Sequence, residues 1–311
     1  MDNVYILLST YNGEKFLEEQ LKSLKKQTGL FQILVRDDGS SDNTLEILSR
    51  WEKELPIKIL KGENIGVIQS FQVLLQSVPK DAEYIFFCDQ DDIWEENKIT
   101  KSIEFLKEGE RLYGKKIPLL FHSDLSVIDD TSKQINPSLW KSQRIRWKLG
   151  QKLNRLVMQN TVTGCSMMIN SALLGFITEI PKEAKMHDWW CALVACSFGK
   201  IISSEETLIR YRIHGGNVVG ARAIDLQRIL NVFLNLKNYI HKWRQENQTR
   251  TQQVEAFYKM YKTLLPLEKE DILRNYLIAS EKGFLIRKLY QIRYQYLQQG
   301  WFRVIISFLL F

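Results

Sequence analysis

Three carboxylates occupy four positions directly after an apolar segment of the sequence. Asp89, Asp91 and Asp92 follow Tyr84–Cys88. Like charges held this close raise one another's pKa unless a cation neutralises them. Carboxylate oxygens are hard ligands, so the pattern favours Mg²⁺ or Mn²⁺, ions that commonly join a carboxylate to a diphosphate. The alternative interpretation is a solvated helix N-terminus, where acidic side chains are also favourable.

A second acidic pair, Asp37 and Asp38, follows the short apolar segment Ile33–Val35. In this position a carboxylate could accept a hydrogen bond from a pyrimidine N–H or from a ribose hydroxyl. A plain turn leading into a helix is the other interpretation, and capping is the role we expect for Asp42 and Thr44.

Apolar segments alternate with helical patterns over the first 125 residues. The apolar segments are Val4–Leu8, Ile33–Val35, Ile57–Leu60 and Tyr84–Cys88. This alternation predicts an α/β fold with a mostly parallel sheet covered by helices on both faces. Ligands of such sheets bind beyond the carboxyl ends of the strands, where both acidic motifs lie. The sequence has no GxGxxG after the first strand and no GxxxxGK[ST], so dinucleotide-binding and P-loop proteins lose support.

The pattern is less regular beyond residue 125. The expected elements are a hairpin at 126–136, a strand at 161–170, a helix at 189–198 and a strand at 209–213. The basic and aromatic segment 140–153 is interpreted as mobile or as facing an acceptor. From about residue 223 the chain has few Gly or Pro and is predicted to be largely helical.

The composition is that of an ordinary globular protein. The chain has 311 residues, of which 45% are hydrophobic and 25% charged, which excludes collagen-like, low-complexity and disordered chains. The net charge of +7 comes from the last third, because residues 207–311 contain 17 basic and 7 acidic residues. None of the four cysteines forms a CxxC, so we expect buried free thiols. The apolar run at 304–311 is too short to span a bilayer.

The polar motifs follow one another in a characteristic order. They are Ser9–Asn12, Asp37–Asp42, Glu63–Gly66, Asp89–Asp92, Thr163–Cys165, His187–Trp190 and Tyr211–Asn217. Over roughly residues 3–220 this ordered set resembles the inverting nucleotide-sugar glycosyltransferases of family 2. The resemblance implies a GT-A fold, with a Rossmann-like, mostly parallel sheet flanked by helices and a C-terminal helical extension. We therefore expect a catalytic domain at 1–222, with a nucleotide-binding half at about 1–125 and an acceptor half at about 126–222, followed by a basic helical extension at 223–311.

The resemblance also implies roles for individual residues. The implied contacts to the nucleotide sugar are Thr10, Asn12, Asp37 or Asp38 as the reader of the base, Asn64 and Asp89. Asp91 and His214 would hold the cation, Mn²⁺ or Mg²⁺, although a lone His in a Gly-rich loop is otherwise usually structural or exposed. Arg212 alternates with apolar neighbours, so it either pairs with the diphosphate or belongs to a surface strand face.

Asp188 is the candidate catalytic base. Transfer with inversion needs one carboxylate to take the proton of the acceptor hydroxyl as that oxygen attacks the anomeric carbon. The leaving diphosphate needs no protonated acid if a cation stabilises its charge. A helix N-cap before Trp189 is the alternative role for Asp188, and it is compatible with catalysis.

Two segments, Phe87–Trp94 and Tyr211–Asn217, resemble the branch of this family that transfers L-rhamnose in bacterial cell-wall or capsular polysaccharide assembly. That branch implies dTDP-β-L-rhamnose as donor, a lipid-linked saccharide as acceptor and an α-L-rhamnoside as product. The alternatives are the same fold with a UDP-hexose donor and a catalytically silent nucleotide-sugar-binding subunit of an assembly complex.

The C-terminal segment 282–311 combines basic and aromatic residues and contains no Asp or Glu. Such a helix suits the headgroup region of an anionic leaflet, which would make the protein cytoplasmic and peripheral on the inner face of the plasma membrane. A helix packed on the catalytic domain is the alternative. We expect no nucleic-acid partner, and the helical extension could also pair two copies of the chain.

Overall fold

A computed structural model describes residues 2–177, 179–215, 236–300 and 304. The strands are β1 (Val4–Thr10), β2 (Gln32–Asp37), β3 (Ile57–Lys61), β4 (Tyr84–Cys88), β5 (Ile93–Trp94), β6 (Leu119–Ile128), β7 (Gln134–Asn136), β8 (Met167–Asn170) and β9 (Lys200–Arg212). The helices are α1 (Leu17–Lys25), α2 (Thr44–Trp51), α3 (Val67–Gln76), α4 (Lys98–Tyr113), α5 (Leu139–Gln143), α6 (Trp147–Gly150), α7 (Leu153–Leu156), α8 (Ser171–Phe176), α9 (His187–Phe198), α10 (Leu236–Tyr261), α11 (Leu267–Glu281) and α12 (Phe284–Tyr294).

The strands in the described residues form one mixed sheet in the order β3-β2-β1-β4-β8-β6-β9-β5, with β7 paired to β6. The pairs among β1, β2, β3 and β4 are parallel, as is β6 with β9. Strand β8 runs antiparallel to both β4 and β6. The mostly parallel α/β sheet predicted from the sequence is therefore confirmed.

The two faces of β1 show why the chain folds in layers. Ile6 and Leu8 belong to one apolar core, and Leu7 between them belongs to another. Successive side chains of a strand point to opposite faces, so a continuously apolar strand needs cover on both sides. Helices α1, α2 and α4 contribute to the core around Ile6, whereas α3 and α9 contribute to the core around Leu7.

The C-terminal helices share the core of the catalytic sheet. Trp243 and Phe257 on α10 are buried in the same apolar cluster as Trp190 on α9, and the rings of Phe257 and Trp190 meet edge to face with centroids 5.3 Å apart. The predicted helical extension is confirmed for its described part. The predicted boundary at residue 223 lies outside the described residues.

Three local predictions differ from the structure. No helix is predicted in segment 140–153, but it contains most of α5, whose first turn is capped by Ser138, together with α6 and the start of α7. The predicted strand at 161–170 is shortened to β8, since Gly164–Ser166 forms a 3₁₀ turn. The helix predicted at 189–198 begins two residues earlier, at His187.

Two further expectations concern the state of the cysteines and the presence of membrane-spanning helices in the described residues. The four cysteines are free and buried, as predicted. None of the helices in those ranges combines the length and the apolar character that crossing a bilayer requires.

Candidate active site

Asp91 and His214 are far apart in the sequence and adjacent in the structure. Strand β5 pairs antiparallel with β9, with Ile93 opposite Arg210, so the residues just before β5 lie beside those just after β9. The His214 Nε2 lies 2.7 Å from the Asp91 Oδ2. Both side chains are partly exposed, at 19% and 16%. The two predicted cation ligands therefore come together at the edge of the sheet.

The donor chemistry of this pair fits a divalent cation such as Mn²⁺. One carboxylate oxygen and one imidazole nitrogen lie in contact at a partly exposed position, and Mn²⁺ accepts both ligand types. Asp89 lies in the same acidic turn, and its charge interacts with those of Asp91, Asp92 and Asp188. Burial and these carboxylates raise the pKa of Asp89 well above its ordinary value. A cation would relieve this repulsion.

A buried group lies directly behind the acidic turn. Ligand atoms of Asp89, Asp92 and Cys165 lie within 4.8 Å of one another. Burial, together with the charge of Asp91, raises the pKa of Asp92 to about 7. Lys98 is also buried, with its Nζ 3.8 Å from the ring centroid of Trp94, and its charge interacts with Cys165 and Asp92. Burial lowers the pKa of Lys98 to about 8, so at neutral pH the lysine still places positive charge on the interior side of the turn.

Arg212 holds the acidic turn, β9 and α1 together. Its side chain is fully buried. The guanidinium carbon lies over the ring of Phe16, 4.6 Å from the ring centroid. The Nε donates to the backbone oxygen of Asp91 at 2.8 Å, and a terminal nitrogen forms an ion pair with Glu19. The backbone N–H of Arg212 donates to Asp92 Oδ1 at 3.0 Å. The interpretation that Arg212 belongs to a surface strand face is therefore wrong.

The predicted contact of Arg212 with a diphosphate gains no support from this arrangement. The Nη1 of Arg212 donates to the backbone oxygen of Asp129 at 3.1 Å and to the Ser132 Oγ at 3.0 Å. A guanidinium with these partners and no exposed surface acts on the site through other residues. We therefore describe Arg212 as a positioning residue.

The predicted base-binding residues at the ends of β1 and β2 form one hydrogen-bonded network. Thr10 Oγ1 donates to Asp37 Oδ1 at 3.0 Å, and Ser40 donates to Asp37 through both its Oγ (2.6 Å) and its backbone N–H (2.9 Å). Asn12 joins the network because its backbone N–H donates to the Ser40 Oγ at 2.9 Å. Asn12 also has a positive φ of 46°, a conformation that asparagine tolerates better than most residues. The structure thus brings Thr10, Asn12 and Asp37 together.

Asp38 has a different set of partners from Asp37. It forms a buried ion pair with Arg36, and it accepts the backbone N–H groups of Ile65 and Gly66, each at 2.9 Å. Asp38 therefore fixes the loop between β3 and α3 against the end of β2. Asn64 lies in this loop with its side chain exposed, so the predicted nucleoside contact is placed at the same sheet edge.

Asp188 lies in the first turn of α9, one residue inside the helix rather than at its cap. Its Oδ2 accepts the backbone N–H of Gly164, and its Oδ1 accepts the Asn160 amide, both at 3.0 Å. Burial raises the pKa of Asp188 to about 7, against the lowering effect of these hydrogen bonds and of the Trp189 N–H. A carboxylate with a pKa near neutrality is suited to accepting a proton.

Several residues that organise the site were not identified from the sequence. Asn160 orients Asp188, Glu19 and Phe16 support Arg212, and Lys98 stands behind the acidic turn. Only Lys98 has a sequence context that could have indicated its position. It begins an amphipathic helix that follows an aromatic strand, and a lysine in that context can be buried. A lone Asn or Glu in a polar segment has no pattern that separates it from a surface residue.

The comparison with family models decides the classification. Residues 5–174 match the model described as glycosyl transferase family 2. The chain belongs to this family. Among curated relatives of this family 2 glycosyltransferase, the dTDP-rhamnosyl transferase RfbG of Shigella flexneri is 29% identical over 230 residues, which is 69% of this chain and 74% of RfbG. The alignments with two further curated relatives cover 66% of each of those proteins.

Solved structures of low sequence identity share the GT-A fold of this family 2 glycosyltransferase. Residues 1–349 of Staphylococcus aureus TarS in complex with UDP-GlcNAc give a TM-score of 0.55 at 16% identity, covering 94% of this chain and 88% of that one. The mannosyltransferase PcManGT from Pyrobaculum calidifontis, in complex with GDP-Man and Mn²⁺, gives a TM-score of 0.52 at 13% identity and covers 94% and 83%. The expected fold class is confirmed.

The buried position of Arg212 generates a prediction about stability. We expect Arg212→Met to lower the free energy of unfolding by about 2–3 kcal/mol, because it leaves the backbone oxygens of Asp91 and Asp129 without their donors at a buried position. Arg210→Met is the matched control on the same strand, since Arg210 is 43% exposed and should lose less than about 1 kcal/mol. Urea unfolding measures both changes. Equal losses in the two variants would contradict the positioning role.

Proposed function

We propose that this family 2 glycosyltransferase moves L-rhamnose from dTDP-β-L-rhamnose to a hydroxyl of a lipid-linked saccharide, with inversion, to give an α-L-rhamnoside. The 29% identity to a protein described as a dTDP-rhamnosyl transferase supports the choice of donor. The resemblance of Phe87–Trp94 and Tyr211–Asn217 to the rhamnose-transferring branch supports the same choice. The acceptor places the reaction at the cytoplasmic face of the plasma membrane.

One observation carries the catalytic part of the proposal. The Asp91–His214 pair and the carboxylate of Asp188 belong to one electrostatic group, linked through Asp89, whose pKa responds to both Asp91 and Asp188. A donor diphosphate held by the pair would present its sugar toward Asp188. In this proposal Asp89 lies between the residues that bind the leaving group and the residue that activates the acceptor.

The proposed mechanism assigns a separate task to each part of the site. Thr10, Asn12 and Asp37 or Asp38 bind the nucleoside, with Asn64 beside it. Asp91 and His214, with Asp89 next to them, hold Mn²⁺ or Mg²⁺. When bound, the cation stabilises the charge that develops on the diphosphate.

Asp188 removes the proton of the acceptor hydroxyl while that oxygen forms the new bond to the anomeric carbon. The bond from the anomeric carbon to the diphosphate breaks on the opposite face, so dTDP departs with the bonding electrons and the configuration inverts. Asn160 and the Gly164 N–H hold Asp188 in position during this step.

A UDP-hexose donor is the second candidate. The structure of TarS in complex with UDP-GlcNAc shares the fold of this chain with a TM-score of 0.55, which favours a uridine nucleotide as the alternative. Both donors carry a pyrimidine base and a diphosphate. The two candidates therefore differ in the transferred sugar, in the 5-methyl group of the base and in the 2′-hydroxyl, which only UDP carries.

Thermal stabilisation by nucleotide sugars tests the donor. In the presence of Mn²⁺ or Mg²⁺ we expect dTDP-rhamnose to raise the Tm most, by roughly 5 °C at a hundredfold excess over its Kd. UDP-GlcNAc and GDP-mannose should give smaller shifts, because only one base and one sugar complement the site. A larger shift with the UDP sugar would replace the proposed donor with the alternative.

Two variants separate donor binding from catalysis. We expect Asp91→Ala and Asp188→Asn each to abolish transfer, but only Asp91→Ala should weaken the cation-dependent binding of the donor. The physical reason is that Asp91 faces the cation and Asp188 faces the acceptor hydroxyl. Isothermal titration calorimetry with dTDP-rhamnose and Mn²⁺ measures the difference. Undiminished metal-assisted affinity in the Asp91→Ala protein would overturn the assignment of Asp91.

The raised pKa of Asp188 predicts the pH dependence of transfer. Because a protonated carboxyl cannot act as a base, kcat/KM should fall tenfold per unit as the pH drops below about 7. Asn160→Ala removes a hydrogen bond that favours the ionised form, so it should move this limb to higher pH. An acid limb that stays in place in the Asn160→Ala protein would assign the titration to another group.

A further inference from the structure

Helix α12 turns its apolar side outward. Its buried residues are Lys288 and Gln291, whose side chains are hydrogen-bonded to each other at 3.3 Å. Leu285, Leu289 and Ile292 are 77%, 67% and 61% exposed. A helix that packs on a protein core normally does the reverse, with its apolar stripe buried and its polar residues in water.

The three exposed residues form a continuous stripe. Their spacing of four and then three residues places them on one face of the helix. Phe284 and Ile286, exposed by 53% and 47%, add apolar surface on either side of Leu285 at the N-terminal end of the helix. Contiguous exposed apolar surface of this kind marks an interaction site.

Basic residues lie at both ends of α12, and no acidic residue accompanies them. Lys282 precedes the helix and Arg293 follows Ile292 in its last turn, and both are exposed. Residues 282–311 contain no Asp or Glu. An apolar stripe with cationic residues at its ends complements a surface that is apolar inside and anionic outside.

The helix is anchored to the wall of the catalytic centre. The backbone oxygen of Tyr294 accepts the Asn154 side chain at 2.7 Å, and the N–H of Gln299 donates to the Gln159 side chain at 2.8 Å. The next residue along the chain, Asn160, donates to Asp188. The outward face of α12 is thus connected through a short segment to the residue that orients the proposed base.

We propose that the stripe of Leu285, Leu289 and Ile292 inserts into the headgroup boundary of an anionic phospholipid bilayer. The proposal rests on the proposed function in one respect, since a lipid-linked acceptor requires the site to face a membrane. A second copy of the chain is a poorer occupant. Two α12 helices packed through their stripes would place basic ends such as Lys282 and Arg293 at the contact, and neither helix carries an acidic residue to pair with them.

The structure also changes which residues of the C-terminal segment would contact lipid. The sequence pattern predicts that aromatic residues of 282–311 lie in the headgroup region. Tyr296, however, is fully buried, and its hydroxyl donates to the backbone oxygen of Ile272 at 2.6 Å. The rings of Tyr294 and Tyr296 stack with centroids 5.6 Å apart. The aliphatic residues of α12 carry the exposed apolar surface instead. The expected contacts in 301–303 and 305–311 lie outside the described residues.

Co-sedimentation with vesicles tests the proposal on the full chain. The test protein carries Leu285→Ser, Leu289→Ser and Ile292→Ser. The matched control carries Leu30→Ser, Leu112→Ser and Ile135→Ser, three residues elsewhere that are 69%, 71% and 58% exposed. Vesicles of phosphatidylglycerol and phosphatidylcholine are compared with vesicles of phosphatidylcholine alone. Circular dichroism and the Tm establish that both variants fold.

We expect the α12 variant to bind the anionic vesicles at least tenfold more weakly than the wild type, and the control to bind as the wild type does. Binding of the wild type should also fall on neutral vesicles. Equal binding by both triple variants, or no binding by the wild type, would overturn the proposal, as would a change of oligomeric state confined to the α12 variant. Thermal stabilisation by dTDP-rhamnose should be the same in all three proteins, so a failure of the donor assignment is recognised separately.

Discussion

The structure depends on the pairing of β5 with β9, which gathers acidic groups that would otherwise repel one another. Strand β5 has only two residues, yet its register against β9 sets Asp91 beside His214 and Asp92 beside the backbone N–H of Arg212. Buried like charges are costly, so positive charge or protonation must offset them. Arg212 supplies positive charge on the side of α1 and Lys98 on the interior side. The contact between Asp91 and His214 lies on the partly exposed side.

This arrangement explains why the fold surrounds the site with elements distant in sequence. The parallel strands β1, β2 and β3 end at one edge of the sheet, where Thr10, Asp37 and the loop held by Asp38 meet. The 3₁₀ turn Gly164–Ser166, directly before β8, lies close to the start of α9. There the Gly164 N–H donates to Asp188 and holds its carboxylate in place. A Cβ on residue 164 would lie 2.7 Å from the His187 Nε2, so glycine is what permits this close approach.

The C-terminal helices complete the catalytic domain rather than forming a separate unit. Trp243 and Phe257 fill the core beside Trp190, which lies two residues after Asp188 in α9. Residues 295–299 lie against segment 146–159, which leads to Asn160. The outward stripe of α12 is attached to the same segment. The proposed membrane contact and the proposed base are therefore connected through one short stretch of chain.

Local sequence determined the alternating strands and helices of residues 1–125, the acidic strand ends and the order of the motifs. These features follow from side-chain periodicity and from residue type, which are properties of neighbours along the chain. The sequence also put Asp91, Asp188 and His214 forward, through the resemblance to family 2. Only the tertiary structure decided that Arg212 is buried, that Asn160 holds Asp188, and that Lys98 lies inside. It also decided that α12 exposes its leucines. The burial of a side chain and the identity of its partners depend on which surfaces meet in space. The sequence alone does not show whether a charged or apolar residue faces water or a neighbouring helix.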